Sequence, residues 1–254
     1  MLTPFRLLFA AALMLLGQQP VRAAASILIW PIDPVIEDQQ QATALWLENR
    51  DSKPVYMQIR VLGWRQIASK DDYSNQSEVI ASPPVASIAP GKRQLIRLIK
   101  QSAPSAGQER AYRVLIDEVP VKGQSVNAVS DTAQMGLKFQ MRYSVPLFVD
   151  GKGIWTKQDS EKPRDYATAS QPQLGYRLQQ QNRQHWLEVR NQGAVHARIS
   201  KVTLQGNSLN PGLMGYVLAG SQMRFALPPA GSFSNGKLLA TVNDNKQPLA
   251  ILSY

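Results

Sequence analysis

An all-β chain of two sandwich domains behind an export signal is what this sequence predicts, on three observations. Apolar and polar residues alternate over short runs, turn residues break those runs at near-regular intervals, and a compact apolar stretch begins almost at Met1. At 254 residues the chain is long for one sandwich and comfortable for two domains. Hydrophobic residues make up 44%, enough for each domain to bury a core of its own.

The elements follow in order. Arg6 supplies a positive start, and the apolar run LLFAAALMLLG over residues 7–17 is too short to span a bilayer. Pro20 and the small residues Ala23, Ala24 and Ala25 then offer a cleavage site, so residues 1–25 are expected to be a signal peptide. The mature chain starts between Ala24 and Ser26 in this reading. No later run is long and apolar enough for a membrane helix, so no membrane insertion of the mature chain is expected.

Residues 26–36 (SILIWPIDPVI) read as an extended edge or switch strand, because Pro31 and Pro34 cannot donate ladder bonds. ATALWLEN follows, RDSKP turns the chain, and VYMQIRVLGWRQ sets Val55, Met57, Ile59 and Val61 on one face. SEVIASPPVASIAPG gives a short strand, a proline-punctuated crossing and a turn at Pro90 and Gly91. KRQLIRLIK and AYRVLIDEVP are the next two strands. A polar stretch over residues 121–134 shows no helical period, and LKFQMRYSVPLFV closes the series as a long strand. Seven strands in this order suit an immunoglobulin-like sandwich over residues 26–149. DGKG and the polar run TKQDSEKPRD mark a boundary, and residues 150–254 carry a second all-β pattern with turns at Asn182–Arg183 and at 191–193.

Composition excludes much chemistry. Cysteine is absent, which removes disulfides, thiolate metal sites and thiol catalysis. His185 and His196 are too few and too far apart for a histidine metal cluster, and His196, in VHARIS, reads as a strand-surface residue. There is no glycine-rich phosphate loop, no G-x-S-x-G elbow and no H-E-x-x-H. Asp117 and Glu118 are adjacent on a strand and point to opposite faces. No enzyme, metal or cofactor is expected. The formal net charge is +10, with Lys and Arg scattered singly along strand-like segments. Export argues against nucleic acid, leaving an acidic protein partner or plain solubility.

The most informative segment is LKFQMRYSVPLFV. Leu137, Phe139, Met141, Tyr143, Val145 and Leu147 form an apolar face, and Lys138, Gln140, Arg142 and Ser144 a polar one. Either the strand completes its own sandwich, or its upstream end is exposed and pairs with another chain through free backbone groups. Periodicity leaves both open.

From residue 26 to about 149 the chain resembles the periplasmic chaperones of chaperone–usher pilus systems. The motifs that carry the resemblance are ASPPVASIAPGKRQLIRL, YRVLIDEVP and RYSVPLFV, in that order. It implies a periplasmic protein without catalysis. Such a protein caps a pilus (fimbrial) subunit that lacks its last strand, inserts Leu137, Phe139 and Met141 as a donor strand, and delivers the subunit to an outer-membrane usher. Each inserted side chain contributes roughly 1.5–3 kcal/mol when fully buried. Better-known members carry an arginine in the first strand and a lysine before the L-F of the donor strand, and these anchor the subunit's terminal carboxylate. Here the matching places hold Asp33 or Pro34, and Pro146. The chain therefore looks like the archaic branch, with its anchoring charges elsewhere.

Arg113 and Arg142 are the candidate replacements. Pairing Glu118 with residues 135–137 sets Arg113 opposite residues 140–142, within about two residues, on the face away from the apolar side chains. Two guanidiniums facing one cleft favour a shared carboxylate; the alternative is that each is a solvated surface charge. At the level of function, the contrasting reading is a secreted structural or adhesive two-domain surface protein, such as a pilus subunit. A subunit of that kind should lack one strand, whereas the first sandwich here shows all seven.

Overall fold

The computed structural model describes residues 27–120, 140–158, 163–228 and 233–254. The expected signal peptide and the donor residues Leu137 and Phe139 lie outside the described residues. The described chain is all-β, with a single 3-10 turn at Tyr166–Thr168.

Ten strands build the first sandwich: β1 (Ile27–Trp30), β2 (Val35–Ile36), β3 (Ala42–Asn49), β4 (Val55–Ile67), β5 (Lys70–Ser74), β6 (Val79–Ser82), β7 (Val85–Ile88), β8 (Arg93–Lys100), β9 (Glu109–Glu118) and β10 (Arg142–Asp150). One sheet has the order β1-β3-β8-β6, the other β2-β10-β9-β4-β5 with β7 also on β4. The first extended segment does switch sheets. β1 pairs with β3, the chain passes a cis Trp30–Pro31 bond, and β2 then runs parallel to β10. The proline-punctuated crossing does the same, β6 lying on β8 and β7 on β4, with a cis Ser82–Pro83 bond between them. Alternate residues of both sheets fill one core, including Leu45, Leu47, Met57, Ile96, Leu98, Val114, Ile116 and Leu147.

Seven strands follow: β11 (Leu174–Gln181), β12 (Gln184–Asn191), β13 (Ala197–Leu204), β14 (Asn207–Val217), β15 (Gln222–Ala226), β16 (Leu238–Val242) and β17 (Leu249–Ser253). They run in the order β14-β13-β16-β17-β11-β12-β15. Strands far apart in that order share one core, with Leu187 and Val189 of β12 beside Ile199 and Val202 of β13 and Ala240 of β16. The sheet therefore curls over itself as a sandwich. Asn182 and Arg183 turn the β11–β12 hairpin with φ of 51° and 64°.

A smaller apolar cluster joins the two halves. Trp64, Phe148 and Leu218 are buried together, with Val35, Ala111 and Tyr216 packed against them. Gly151, just after β10, is required there, since a Cβ would stand 2.1 Å from the Ser105 carbonyl oxygen.

Candidate functional site: the cleft face of the first sandwich

Residues 113, 115 and 117 of β9 point away from the core, since Tyr112, Val114 and Ile116 point into it. The ladder sets Arg113 opposite Pro146 of β10 and Leu62 of β4, and Asp117 opposite Arg142 and Gln58. The register therefore differs from the sequence expectation. Glu118 meets Met141, its N–H donating to the Met141 carbonyl at 3.0 Å, rather than residues 135–137. Strand alternation fixed the faces correctly; the length of the preceding connection, which sets the register, is not encoded in periodicity.

The two candidate arginines thus share a face but lie four residues apart along it. Arg142 is exposed and bonded to Asp117, which also holds Arg60 at 2.7 Å. The Arg142 hydrogen bond chiefly, with Arg60 adding to it, holds the Asp117 carboxyl below its ordinary range against a burial effect that raises it. Arg113 sits differently. Its guanidinium lies over Trp64, 3.7 Å from the ring centroid, and 5.3 Å from that of Tyr216 of β14. Its Nε is buried without a hydrogen-bond partner, and it forms no ion pair among the described residues. Every other arginine around this cleft is paired, Arg60 and Arg142 with Asp117, Arg198 with Asp33 and Asp244.

Asp71 of β5 organises the floor beneath Arg113. Its carboxylate accepts from Trp64 Nε1 at 2.8 Å, Gln66 Nε2 at 3.0 Å and the Tyr73 hydroxyl at 3.2 Å. Burial, reinforced by Asp71, raises the Tyr73 phenol. The arrangement is a partly exposed cation on an aromatic bed, which suits an incoming anion.

β10 supplies the second feature. Along one side it pairs with β9 over its full length, Arg142 to Asp150. Along the other, β2 covers only Phe148 and Val149. On that side no described strand pairs with β10 upstream of Phe148. Its odd residues Val145 and Leu147 belong to the first core, Tyr143 packs against that core, and Met141 is 37% exposed. The reading in which the strand completes its own sandwich holds for the downstream half, and Met141, just upstream of β10, lies outside that core.

His196 is the residue that sequence reasoning misplaced. It is buried between the two halves, stacked on Phe148 with ring centroids 3.4 Å apart, and its Nδ1 lies 2.8 Å from Glu109. Periodicity marks a strand position but not a neighbouring domain. Asp33, at one of the places where better-known family members carry a basic residue, pairs with Lys157 and Arg198 and so fastens the linker and the second half to the first.

The family model for the pili and flagellar-assembly chaperone, PapD N-terminal domain, matches residues 34–154. A chain of the CsuC–CsuE chaperone–tip adhesion subunit pre-assembly complex, from archaic chaperone-usher Csu pili of Acinetobacter baumannii, is 34% identical. The alignment covers 91% of this chain and 100% of that one, with a TM-score of 0.72. This chain belongs to the pilus-assembly chaperone family. The fold is shared more distantly with a chain of the Salmonella enterica SafA pilin–SafB chaperone complex, at 16% identity, 91% and 97% coverage and a TM-score of 0.61. The E. coli chaperone DraB matches at 14% identity, 86% and 89% coverage and a TM-score of 0.57. Comparison with curated protein sequences returned no match. The chaperone therefore has the all-β, two-sandwich fold read from its sequence.

Proposed function

We propose that the chaperone works in the periplasm, without catalysis or cofactor, by lending β10 and its upstream extension to a pilus subunit that lacks one strand. The observation that carries this reading is the side of β10 on which β2 is the sole described strand and pairs at Phe148 and Val149 alone, with Arg113 beside it in the cleft. An unpaired edge offers N–H and C=O groups to an incoming strand, and alternate side chains fill its groove. In this reading Leu137, Phe139 and Met141 continue the apolar face beyond the chaperone's own core and insert into the subunit. Arg113 receives the subunit's terminal carboxylate, because a guanidinium with an open donor side binds a carboxylate as a fork. Arg142, already held by Asp117 and exposed, contributes further out along the same face. The loaded subunit then passes to an outer-membrane usher. Residues 1–25 act as the cleaved signal peptide, and residues 26–149 and 150–254 as the two domains.

Amide hydrogen exchange tests the edge. Outward amides between Arg142 and Leu147 should exchange fast in the free chaperone and become protected in a co-expressed chaperone–subunit complex. Unchanged exchange in a stable complex would place the contact elsewhere.

A further inference from the structure

The guanidinium of Arg113, which forms no ion pair among the described residues, is held from two domains at once. Trp64, from β4 of the first sandwich, lies under it and is itself fixed by the indole bond to Asp71. Tyr216, from β14 of the second, stands edge-on to Trp64 with centroids 5.6 Å apart and rings at 76°, so the two rings form a corner around the cation. Tyr216 is not left to find that place by packing alone. Gln66 of β4 grips the backbone immediately after it, on both sides of Val217, donating to the Tyr216 carbonyl at 3.0 Å and accepting from the Leu218 N–H at 2.9 Å. Gln66 also donates to Asp71, so one amide links the floor of the site to the second domain.

We infer that Tyr216, placed by Gln66, is a positioning residue for the carboxylate site at Arg113, so that the second domain takes part in capture without supplying the charge. This rests on the reading of Arg113 as the anchor. The physical reason is preorganisation. An arginine free to rotate loses rotamer freedom when it binds, and rings that hold it beforehand remove part of that cost. The ring face also attracts the cation, so a ring of any aromatic kind at position 216 should serve and an aliphatic side chain of similar bulk should not.

The test uses the full-length mature chaperone, with N-acetylglycine as carboxylate probe and N-acetylglycinamide as uncharged control. The Nε–H resonance of Arg113, identified by its loss in Arg113→Lys, reports both ring placement and binding. In the wild type it should be displaced by ring currents and should shift saturably with the acid and not with the amide. Tyr216→Leu should move the starting resonance and weaken the probe roughly three- to thirtyfold. Tyr216→Phe should stay within about twofold of wild type, and Gln66→Ala, which leaves the ring in the chain, should weaken binding in the same direction as Tyr216→Leu. Thermal melts verify that each variant is folded. If the wild-type resonance ignores the acid, the anchor reading fails and this inference with it. If the wild type responds and Tyr216→Leu binds as well, from an unmoved resonance, the anchor stands and the role of Tyr216 is overturned. Loss in Tyr216→Phe equal to that in Tyr216→Leu would assign the effect to the hydroxyl and also overturn it.

Discussion

Two ionisable groups at the residue scale behave in opposite ways. Arg113 is stacked on Trp64 and forms no ion pair among the described residues, so removing it takes little from the folded state and everything from a carboxylate that depends on it. Arg113→Ala should abolish subunit capture in a pull-down while shifting unfolding free energy by no more than about 1 kcal/mol. Wild-type capture would reduce Arg113 to an aromatic-stacked surface group. Arg142→Ala should weaken capture less, since Asp117 keeps Arg60. Asp150 is the opposite case. Its carboxyl is fully buried at the end of β10, neither oxygen has a hydrogen-bond partner, and burial first, then Glu109 and Glu37, raises its pKa to about 8. The unfolded chain ionises near the ordinary aspartate value of about 3.9. The folded state therefore binds the proton more tightly, and the stability this contributes is full below about pH 4 and lost as the pH rises through about 8. Asp150→Asn should melt higher than the wild type by a margin that is larger at pH 8 than at pH 5. A margin independent of pH would mean that Asp150 is ionised in the folded protein.

For single elements, β10 serves its own core through Val145 and Leu147, while Met141, just before the strand, is exposed. Leu147→Ala should destabilise the free chaperone by about 2–5 kcal/mol, as emptying a filled core site does. Phe139→Ser should cost little in denaturant melts and much in complex formation. If Phe139→Ser instead costs a core-like 3–5 kcal/mol, the strand belongs to its own sandwich further upstream than proposed. Strand alternation made the faces of β4, β8, β9 and β10 legible in the sequence, and Pro31, Pro34, Pro83 and Pro84 made the sheet-switching segments legible. What stayed hidden has local causes. β5 follows a tight turn at Ala68 and Ser69, both with φ above 50°, where no glycine or asparagine announces a hairpin. In the run YVLAGSQMRFALPP the turn at Ala219 and Gly220 separates β14 from β15. The corner around Arg113 was half legible. Its charge and face follow from alternation, but Trp64 is a neighbour through register, and Tyr216 comes from about a hundred residues downstream, where no local pattern points back.

Across the whole molecule, the cleft exists because the two sandwiches are held at a fixed relation, and few groups hold them. The apolar joint is small, Trp64, Phe148 and Leu218 being its buried members. Around it lie polar ties, Asp33 bridging Lys157 of the linker and Arg198 of β13, Arg164 to Glu37, and Gln66 to the backbone of β14. The most enclosed tie is Glu109, which accepts the His196 N–H at 2.9 Å and faces Nδ1 at 2.8 Å, with both side chains shielded from solvent. Removing one partner of such a pair leaves the other desolvated and unpaired, which costs more than a surface pair would. Each sandwich meanwhile keeps its own core, so the loss falls on the joint and not on the domains. Glu109→Ala should therefore separate a single calorimetric unfolding transition into two, and it should lower subunit capture although no donor residue has changed, because Tyr216 and Trp64 then no longer meet around Arg113. Differential scanning calorimetry and the same pull-down read the two effects. A variant that keeps one transition and full capture would show that the apolar joint alone fixes the domains, and that Glu109 and His196 merely fill the space beside it.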